Sequence, residues 1–257
     1  MWDVLTVIAL TPSAPVLVPE LAGAAAAEVA DFRTAALTVA TQLPDRWIAI
    51  GVGAAEEVIG PQARGTFAGY GVDVGVTLSP DAESTVRALP LCALVAGWLR
   101  GLANPAARAE VRVYRADLGA DTAVARGRDL RAEIDAADGP VGVLVVADGA
   151  NTLTPPAPGG YDPEAAAVQA ALDDALAAGD AAALTRLPAG VVGRVAYQVL
   201  AGLAGPGPHA ARELVRGAPY GVGYFAGVWV PGPAGGSVAT GGLDPAGGSV
   251  ATGGSTE

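Results

Sequence analysis

The chain contains no lysine, and it has only one histidine, His209, and one cysteine, Cys92, among 257 residues. Schiff-base and pyridoxal catalysis require a lysine amine, and a P-loop requires the lysine that reaches the phosphates. A zinc site of the usual kind requires several Cys or His ligands, and an iron triad of two histidines and a carboxylate requires two imidazoles. One copy of this chain can build none of these sites.

Composition also limits the compartment and the partners. A single cysteine excludes an internal disulfide, which is typical of a protein from a reducing cytoplasm. The net charge of −11 argues against nucleic acid and anionic lipid, because their phosphates would repel this surface. No continuous apolar segment is long enough to cross a bilayer. We therefore expect a cytoplasmic protein without nucleic-acid or membrane partners. Its apolar fraction of 51% favours an interface in a homo-oligomer.

Strand and helix patterns alternate along the chain, which predicts an α/β fold with αβα layers around a central, mostly parallel sheet. Unbroken apolar runs are typical of strands buried on both faces. The predicted strands are Val4–Leu10, Trp47–Val52, Val72–Leu78, Glu110–Ala116, Val141–Ala147 and Val222–Val230. The predicted helices are Pro19–Gln42, Pro90–Leu102, Asp121–Ala137, Asp162–Gly179, a short one capped by Asp180, Gly190–Leu203 and Pro208–Arg216.

Residues 1–230 are predicted to form a single domain, and residues 231–257 differ from it in character. The decapeptide Pro-Ala-Gly-Gly-Ser-Val-Ala-Thr-Gly-Gly occurs at 233–242 and again at 245–254. Two Gly-rich copies are too few for a solenoid, so we interpret this segment as a flexible tail produced by local duplication.

The sequence does not support a dinucleotide-binding motif or a nucleophilic catalytic triad. The segment from Gly51 to Glu56 follows a strand and resembles the dinucleotide fingerprint, but Glu56 and Glu57 would face the pyrophosphate, so a Gly-rich turn is the better interpretation. No G-x-S-x-G nucleophile elbow exists, and the spacing around His209 does not support a Ser–His–Asp triad.

The loop after the strongest strand is the best place for a ligand. Open α/β sheets bind ligands at the carboxyl ends of their strands, and Asp148 and Asn151 follow such an end. Both residue types also suit turns, so a purely structural role is equally compatible with Asp148 and is favoured for Asn151.

Several segments in order resemble one known family. They are Pro12-Ser-Ala-Pro15-Val-Leu-Val-Pro19-Glu-Leu; Ala147-Asp148-Gly149; Ala157-Pro158-Gly-Gly-Tyr161-Asp162-Pro163-Glu; Gly193-Arg194-Val-Ala-Tyr197-Gln198; and Ala218-Pro219-Tyr220-Gly221-Val222-Gly223-Tyr224-Phe225 with Trp229. Together they resemble the class III extradiol ring-cleavage dioxygenases of the subunit-B (LigB-like) type, from residue 1 to about 230.

The resemblance implies an αβα fold with a pocket at the strand ends. Active members hold non-haem Fe(II) by two His and one Glu, use another His as acid and base, and insert O₂ into catechols. The first His of the family stands in a Pro-His-Pro-Pro-like turn, which here reads Pro12-Ser13-Ala14-Pro15, and the second would lie near 53–56, where this chain has none. A serine hydroxyl is a poor substitute for an imidazole, so we expect no bound Fe(II) and no other cofactor.

Three hypotheses about the function remain open. The leading hypothesis is a LigB-like domain without its iron triad, a pseudoenzyme that binds a small molecule or a protein through its pocket. The alternative is a divergent dioxygenase-family enzyme or a hydrolase that uses a carboxylate-based metal site, whose oxygen donors would suit Mg²⁺ or Ca²⁺. A third possibility is an assembly role. The pocket candidates are Ser13, Glu56, Asp148, Asn151 and Tyr220, with no catalytic residue or metal ligand assigned.

Overall fold

The computed structural model describes residues 4–232, apart from the side chain of His209. Seven strands form one sheet in the order β3-β6-β2-β7-β1-β9-β8. They are β1 (Leu5–Thr11), β2 (Arg46–Gly53), β3 (Glu57–Ile59), β6 (Arg108–Arg115), β7 (Val141–Val146), β8 (Pro208–Gly217) and β9 (Tyr224–Pro231). Two short strands, β4 (Arg64–Thr66) and β5 (Gly75–Thr77), pair separately.

The four central strands β6, β2, β7 and β1 pair in parallel, while β3, β9 and β8 are added antiparallel to their neighbours. Because β8 reverses the direction of β9, five of the seven strands run the same way. The predicted mostly parallel central sheet is therefore confirmed.

Helices cover both faces of the sheet. The helices are α1 (Pro19–Ala22), α2 (Ala30–Ala40), α3 (Leu91–Ala103), α4 (Ala120–Asp135), α5 (Ala165–Ala178), α6 (Ala181–Leu184) and α7 (Arg194–Ala204). Side chains of α2 and α3 share one buried cluster with the sheet, and side chains of α4 to α7 share the other. Alternate residues of each strand divide between the two clusters: Val7 and Ala9 enter the first, and Ile8 and Leu10 the second. This is the αβα layering expected from the sequence.

The structure corrects the prediction of a helix at 208–216. These residues form β8, an edge strand paired with β9 through contacts such as Ala211 with Trp229. Alanine, arginine, glutamate and leucine favour a helix locally, but β9 offers an unpaired row of backbone groups that only a strand can satisfy. The lone histidine, His209, therefore lies on a strand.

The predicted helix 19–42 is also interrupted. Gly23 adopts a φ of 50° at the end of α1, and a short 3₁₀ segment, Gly23–Ala26, separates α1 from α2. A left-handed glycine ends a helix readily because it has no Cβ to clash with the backbone. The predicted strand 72–78 is real only over Gly75–Thr77 and lies outside the main sheet.

The predicted helix end at Gly179 and the cap at Asp180 are both present. Gly179 has a φ of 72°, and the Asp180 carboxylate accepts a hydrogen bond from Ala183 N–H at 2.9 Å. The part of the predicted tail that holds the duplicated decapeptide, residues 233–257, lies outside the described residues, and Pro231 is the last residue of β9. Within residues 4–232, no helix has both the length and the apolar character needed to cross a membrane.

Helices α4 and α7 cross at two glycines. A Cβ added to Gly127 would meet the carbonyl oxygen of Val199 and lie 2.8 Å from Leu203 N. A Cβ on Gly202 would meet Val124 O in the same way. The two backbones therefore touch directly, and neither position leaves room for a methyl group.

We predict that Gly127→Ala destabilises the fold by about 2 kcal/mol or more, because the backbones must separate, although alanine favours helices by about 1 kcal/mol. Gly101→Ala in α3 is the matched control, since nothing lies within 4 Å of its added Cβ. The control should be neutral or slightly stabilising in urea denaturation. Equal free energies of unfolding for the two variants would contradict the direct contact.

Candidate functional site

The carboxyl ends of β1 and β7 bring two of the predicted pocket residues together. Thr11 at the end of β1 pairs in register with Val146 at the end of β7. Ser13 lies two residues after Thr11 and Asp148 two residues after Val146, so these two residues lie side by side. The backbone N–H of Ser13 donates a hydrogen bond of 2.7 Å to Oδ1 of Asp148. Ser13 therefore serves this site with its main chain.

The Asp148 carboxyl is largely enclosed. Burial raises its pKa from 3.8 to about 7, although the Ser13 hydrogen bond opposes part of this shift. Among the described residues no arginine forms an ion pair with Asp148, and Ser13 supplies its one side-chain hydrogen bond. A carboxyl with this pKa exchanges its proton near neutral pH, which is the range useful for binding or proton transfer.

Tyrosines surround this carboxyl. Tyr197 of α7 is buried, and its hydroxyl donates a hydrogen bond of 3.0 Å to the carbonyl oxygen of Ala147. Burial and then the charge of Asp148 raise the pKa values of Tyr197 and Tyr224, so both phenols are neutral at physiological pH. Tyr224 also packs edge-on against Phe32, with ring centroids 5.6 Å apart.

Two hydroxyl groups at this edge make no hydrogen bond to the described protein. Thr11 is only 1% exposed, and its Oγ1 has no partner. Strand alternation directs Thr11 to the same face as Val7 and Ala9, which is also the face of Tyr224. The buried Oη of Tyr220 likewise makes no hydrogen bond of good geometry, although burial and then the nearby Glu28 carboxylate raise its pKa.

The turn that carries Asp148 is fixed by its neighbours. Gly149 N–H donates to Gly223 O, and Gly223 N–H donates to Ala150 O, both at 2.8 Å. Gly193 N–H donates to the main-chain oxygen of Asp148, also at 2.8 Å. These bonds join β7, the start of α7 and the approach to β9.

A buried amide completes the support of this turn. Gln169 of α5 accepts a hydrogen bond from Ala150 N–H through Oε1 and donates one to Asp173 through Nε2, both at 2.8 Å. A Cβ on either Gly149 or Gly223 would collide with the Gln169 side chain. Burial raises the pKa of Asp173 to about 6, and the Gln169 hydrogen bond opposes that shift. Sequence reasoning missed Gln169, since nothing local marks a mid-helix glutamine as buried.

The remaining pocket candidates lie apart from this group or serve the loop. Glu56 is exposed, faces Arg126 at 3.5 Å and lines a separate cavity of about 300 Å³ with Tyr114 and Glu133. Asn151 shapes the following loop: its carbonyl accepts from Gly159 N–H at 3.0 Å, and its side chain fills the space beside Gly159. The structure thus brings together Ser13 and Asp148, with Tyr220 close to Tyr224.

The glycines of the apparent dinucleotide motif have a packing role. A Cβ on Gly51 would collide with Cys92 at the start of α3, and one on Gly53 would lie 2.6 Å from a methyl of Val113. Cys92 is buried, and its thiol pKa is raised to about 12, first by burial. Gly51 therefore lets α3 approach the sheet, Gly53 leaves room for Val113 of β6, and the thiol is an inert core group.

The residues present do not fit an Fe(II) centre. Ser13 stands where the resemblance places the first histidine, and Glu56, near the second position, faces Arg126. Within residues 4–232 no cluster of three or more His, Cys, Asp or Glu side chains has the spacing to hold a metal ion. The donor set at the edge is one carboxyl with neutral hydroxyls, which is weak for a ferrous ion.

We predict that Asp148→Asn stabilises the protein at pH 8 by on the order of 2 kcal/mol, discounted for partial solvent contact, and changes it little at pH 4. The folded carboxyl keeps its proton up to about pH 7, whereas the unfolded one loses it near pH 4. Wild-type stability therefore falls across this window, and the asparagine variant escapes the loss.

Urea denaturation at pH 4, 6 and 8 measures this difference. Asp129→Asn, which makes the same change at an exposed position of α4, is the control and should show no pH-dependent gain. A constant difference between wild type and Asp148→Asn across the three pH values would contradict the raised pKa.

We predict that Gln169→Leu destabilises the fold by about 1–3 kcal/mol, because Ala150 N–H loses its buried acceptor. The same change should raise the pKa of Asp173 further, since its hydrogen-bond donor disappears. Gln62→Leu repeats the substitution at an exposed position. Denaturation and carboxyl NMR titration measure the two effects, and equal behaviour of both variants would refute the support role.

The comparisons with known proteins bear on the fold alone. No protein-family model matches the chain, and no curated protein matches it either. Among solved structures, the chain is similar to the uncharacterized protein JW3007 from Escherichia coli K12, with a TM-score of 0.56 and 10% sequence identity. The match covers 87% of this chain and 99% of that one. The two proteins therefore share a fold over nearly the whole described region.

Proposed function

We propose that this protein is a divergent LigB-like domain without the Fe(II) triad, and that it binds a small molecule at the strand ends around Asp148 and Ser13 without cleaving aromatic rings. The observation that carries the proposal is the Asp148 carboxyl. It is enclosed, it is held by a single hydrogen bond of 2.7 Å from Ser13, and it has no ionic partner within the described region.

The arrangement supports binding for a physical reason. Enclosing a carboxyl without a cationic partner lowers the free energy of unfolding, and burying Thr11 Oγ1 without a hydrogen bond lowers it further. Groups with perturbed pKa values of this kind cluster at functional sites. The site also lies at the carboxyl edge of a mostly parallel sheet, where open α/β folds bind ligands.

The LigB-like relationship is supported by the order of the resembling segments and by where they meet. The segment around Ser13, the one beginning at Ala147 and the one ending at Tyr224 converge on the same edge of the sheet. Tyr197, from a fourth resembling segment, donates its hydrogen bond there as well. A pocket inherited from such a family would occupy this position.

The carboxylate-metal enzyme is less well supported. That alternative needs Glu56 and Asp148 to share an ion, but Glu56 faces Arg126 and lines the separate cavity beside α4. Asp148 would remain with hydroxyl and main-chain donors, which are too few for the six to eight oxygens typical of Ca²⁺.

The experiment has two parts. Protein prepared anaerobically with Fe(II) should retain no stoichiometric iron and should consume no O₂ with a catechol. Stoichiometric iron together with oxygen uptake would overturn the loss of ring cleavage.

A thermal-shift panel of small metabolites then tests binding. We predict that at least one ligand stabilises the wild type at pH 8. The affinity derived from its thermal shift should fall by a factor of ten or more in Asp148→Asn and should be unchanged in Glu56→Gln. A panel without such a ligand, or one in which Glu56→Gln abolishes binding, would contradict the assignment of the pocket.

A further inference from the structure

The charges around Asp148 restrict what the proposed pocket can hold. The charge of its carboxyl acts on the phenols of Tyr197 from α7 and Tyr224 from β9, and both phenols are neutral at physiological pH. A further carboxylate, that of Glu28, lies beside Tyr220. No basic side chain forms an ion pair with Asp148 within the described residues, so an anionic ligand placed against it would meet an unneutralised negative charge.

We propose that the site takes a small organic cation, with a primary ammonium group placed against the Asp148 carboxylate and bonded to the free hydroxyls of this edge. This inference rests on the proposed function and specifies its ligand class. An ammonium supplies the positive charge that Asp148 lacks, and it has three N–H donors. Asp148 and the unpartnered Thr11 Oγ1 can accept two of them.

The geometry of the two strands brings these acceptors together. Thr11 and Val146 are register partners on adjacent parallel strands, and Asp148 lies two residues beyond Val146. Val146 and Tyr224 belong to the α2–α3 face of the sheet, and strand alternation from Val7 and Ala9 directs Thr11 to the same face. The Ser13 hydrogen bond holds Asp148 at this end of β1, beside Thr11.

An aromatic ring on the same face adds a second source of attraction. Cations are attracted to aromatic faces, and the attraction grows when water is excluded. Tyr224 is largely buried on the face of Val146, and its phenol interacts with the charge of Asp148. The net charge of −11 also raises the local concentration of cations around the whole molecule.

A divalent metal ion fits less well than an organic cation. One carboxylate with neutral oxygens carries a single negative charge, which one ammonium neutralises. Mg²⁺ and Ca²⁺ sites usually combine several carboxylates, and no such cluster exists among residues 4–232.

The test uses the whole protein and three matched probes: benzylammonium, benzyl alcohol and benzoate. Calorimetry at pH 8 and constant ionic strength should show binding of benzylammonium alone. The affinity for benzylammonium should fall at least tenfold in Asp148→Asn. In the wild type this affinity should decrease toward tenfold per pH unit below about pH 7, because the ammonium then competes with a proton for the carboxyl.

A second variant separates the site from general stability. Thr11→Val removes the unpartnered hydroxyl without changing the side-chain shape, so the fold should be at least as stable while benzylammonium binds several-fold more weakly. Ser79→Ala removes another buried, unpartnered hydroxyl, one that follows Leu78 at the opposite edge of the sheet, and should leave affinity unchanged. Equal effects of the two variants would overturn the placement of the ammonium.

The outcomes distinguish the ligand class from the pocket. Binding of benzyl alcohol with the same dependence on Asp148 would overturn the cation and leave the pocket standing. Competition by Na⁺, K⁺ or Mg²⁺ at concentrations that match benzylammonium would assign the site to inorganic cations and overturn the organic one. If benzylammonium fails to bind, the assignment of an organic cation is wrong. The binding site itself is contradicted only if the metabolite panel also finds no ligand that depends on Asp148.

Discussion

The turn after β7 is held on nearly every side by hydrogen bonds that leave its backbone no freedom. Gly149 and Ala150 are bonded to Gly223, Gly193 bonds to the carbonyl of Asp148, and the buried amide of Gln169 closes the last open donor. This network fixes the backbone of Asp148 at the strand ends, and the N–H of Ser13 holds its carboxyl there. The position of the carboxyl is therefore set by the protein itself.

Two glycines make this arrangement possible by their lack of a side chain. Gly149 and Gly223 lie against the Gln169 amide, where a methyl group on either would displace it. Gln169 in turn donates to Asp173, so α5 is linked to the turn through a polar pair inside an otherwise apolar layer. Buried polar pairs of this kind fix one geometry, because any shift leaves a donor or an acceptor without a partner.

The strand ends around Asp148 present oxygen acceptors. The turn after β1 reaches this edge and contributes the N–H of Ser13 to the Asp148 carboxylate. The edge therefore combines a carboxyl of neutral-range pKa with the unpartnered hydroxyl of Thr11. Both groups can accept hydrogen bonds, so the chemistry of this edge favours hydrogen-bond donors.

The sequence by itself determined the layers, the central strands and the position of Asp148 at the end of a strand. Long apolar runs such as Val141–Val146 report burial on both faces, and a carboxylate after such a run lies at the binding edge for topological reasons. The absence of lysine and the single histidine equally fixed which cofactor sites cannot exist in one chain.

Only the tertiary structure decided the rest. The segment 208–217 is a strand because it pairs with β9. Glu56 lies away from Asp148 because the chain turns toward β3 and Arg126. The enclosure of Asp148, the unpartnered hydroxyl of Thr11 and the support by Gln169 all depend on residues distant in the chain. Local patterns report propensity and periodicity, whereas a pKa or an unfilled hydrogen bond depends on what other segments place nearby.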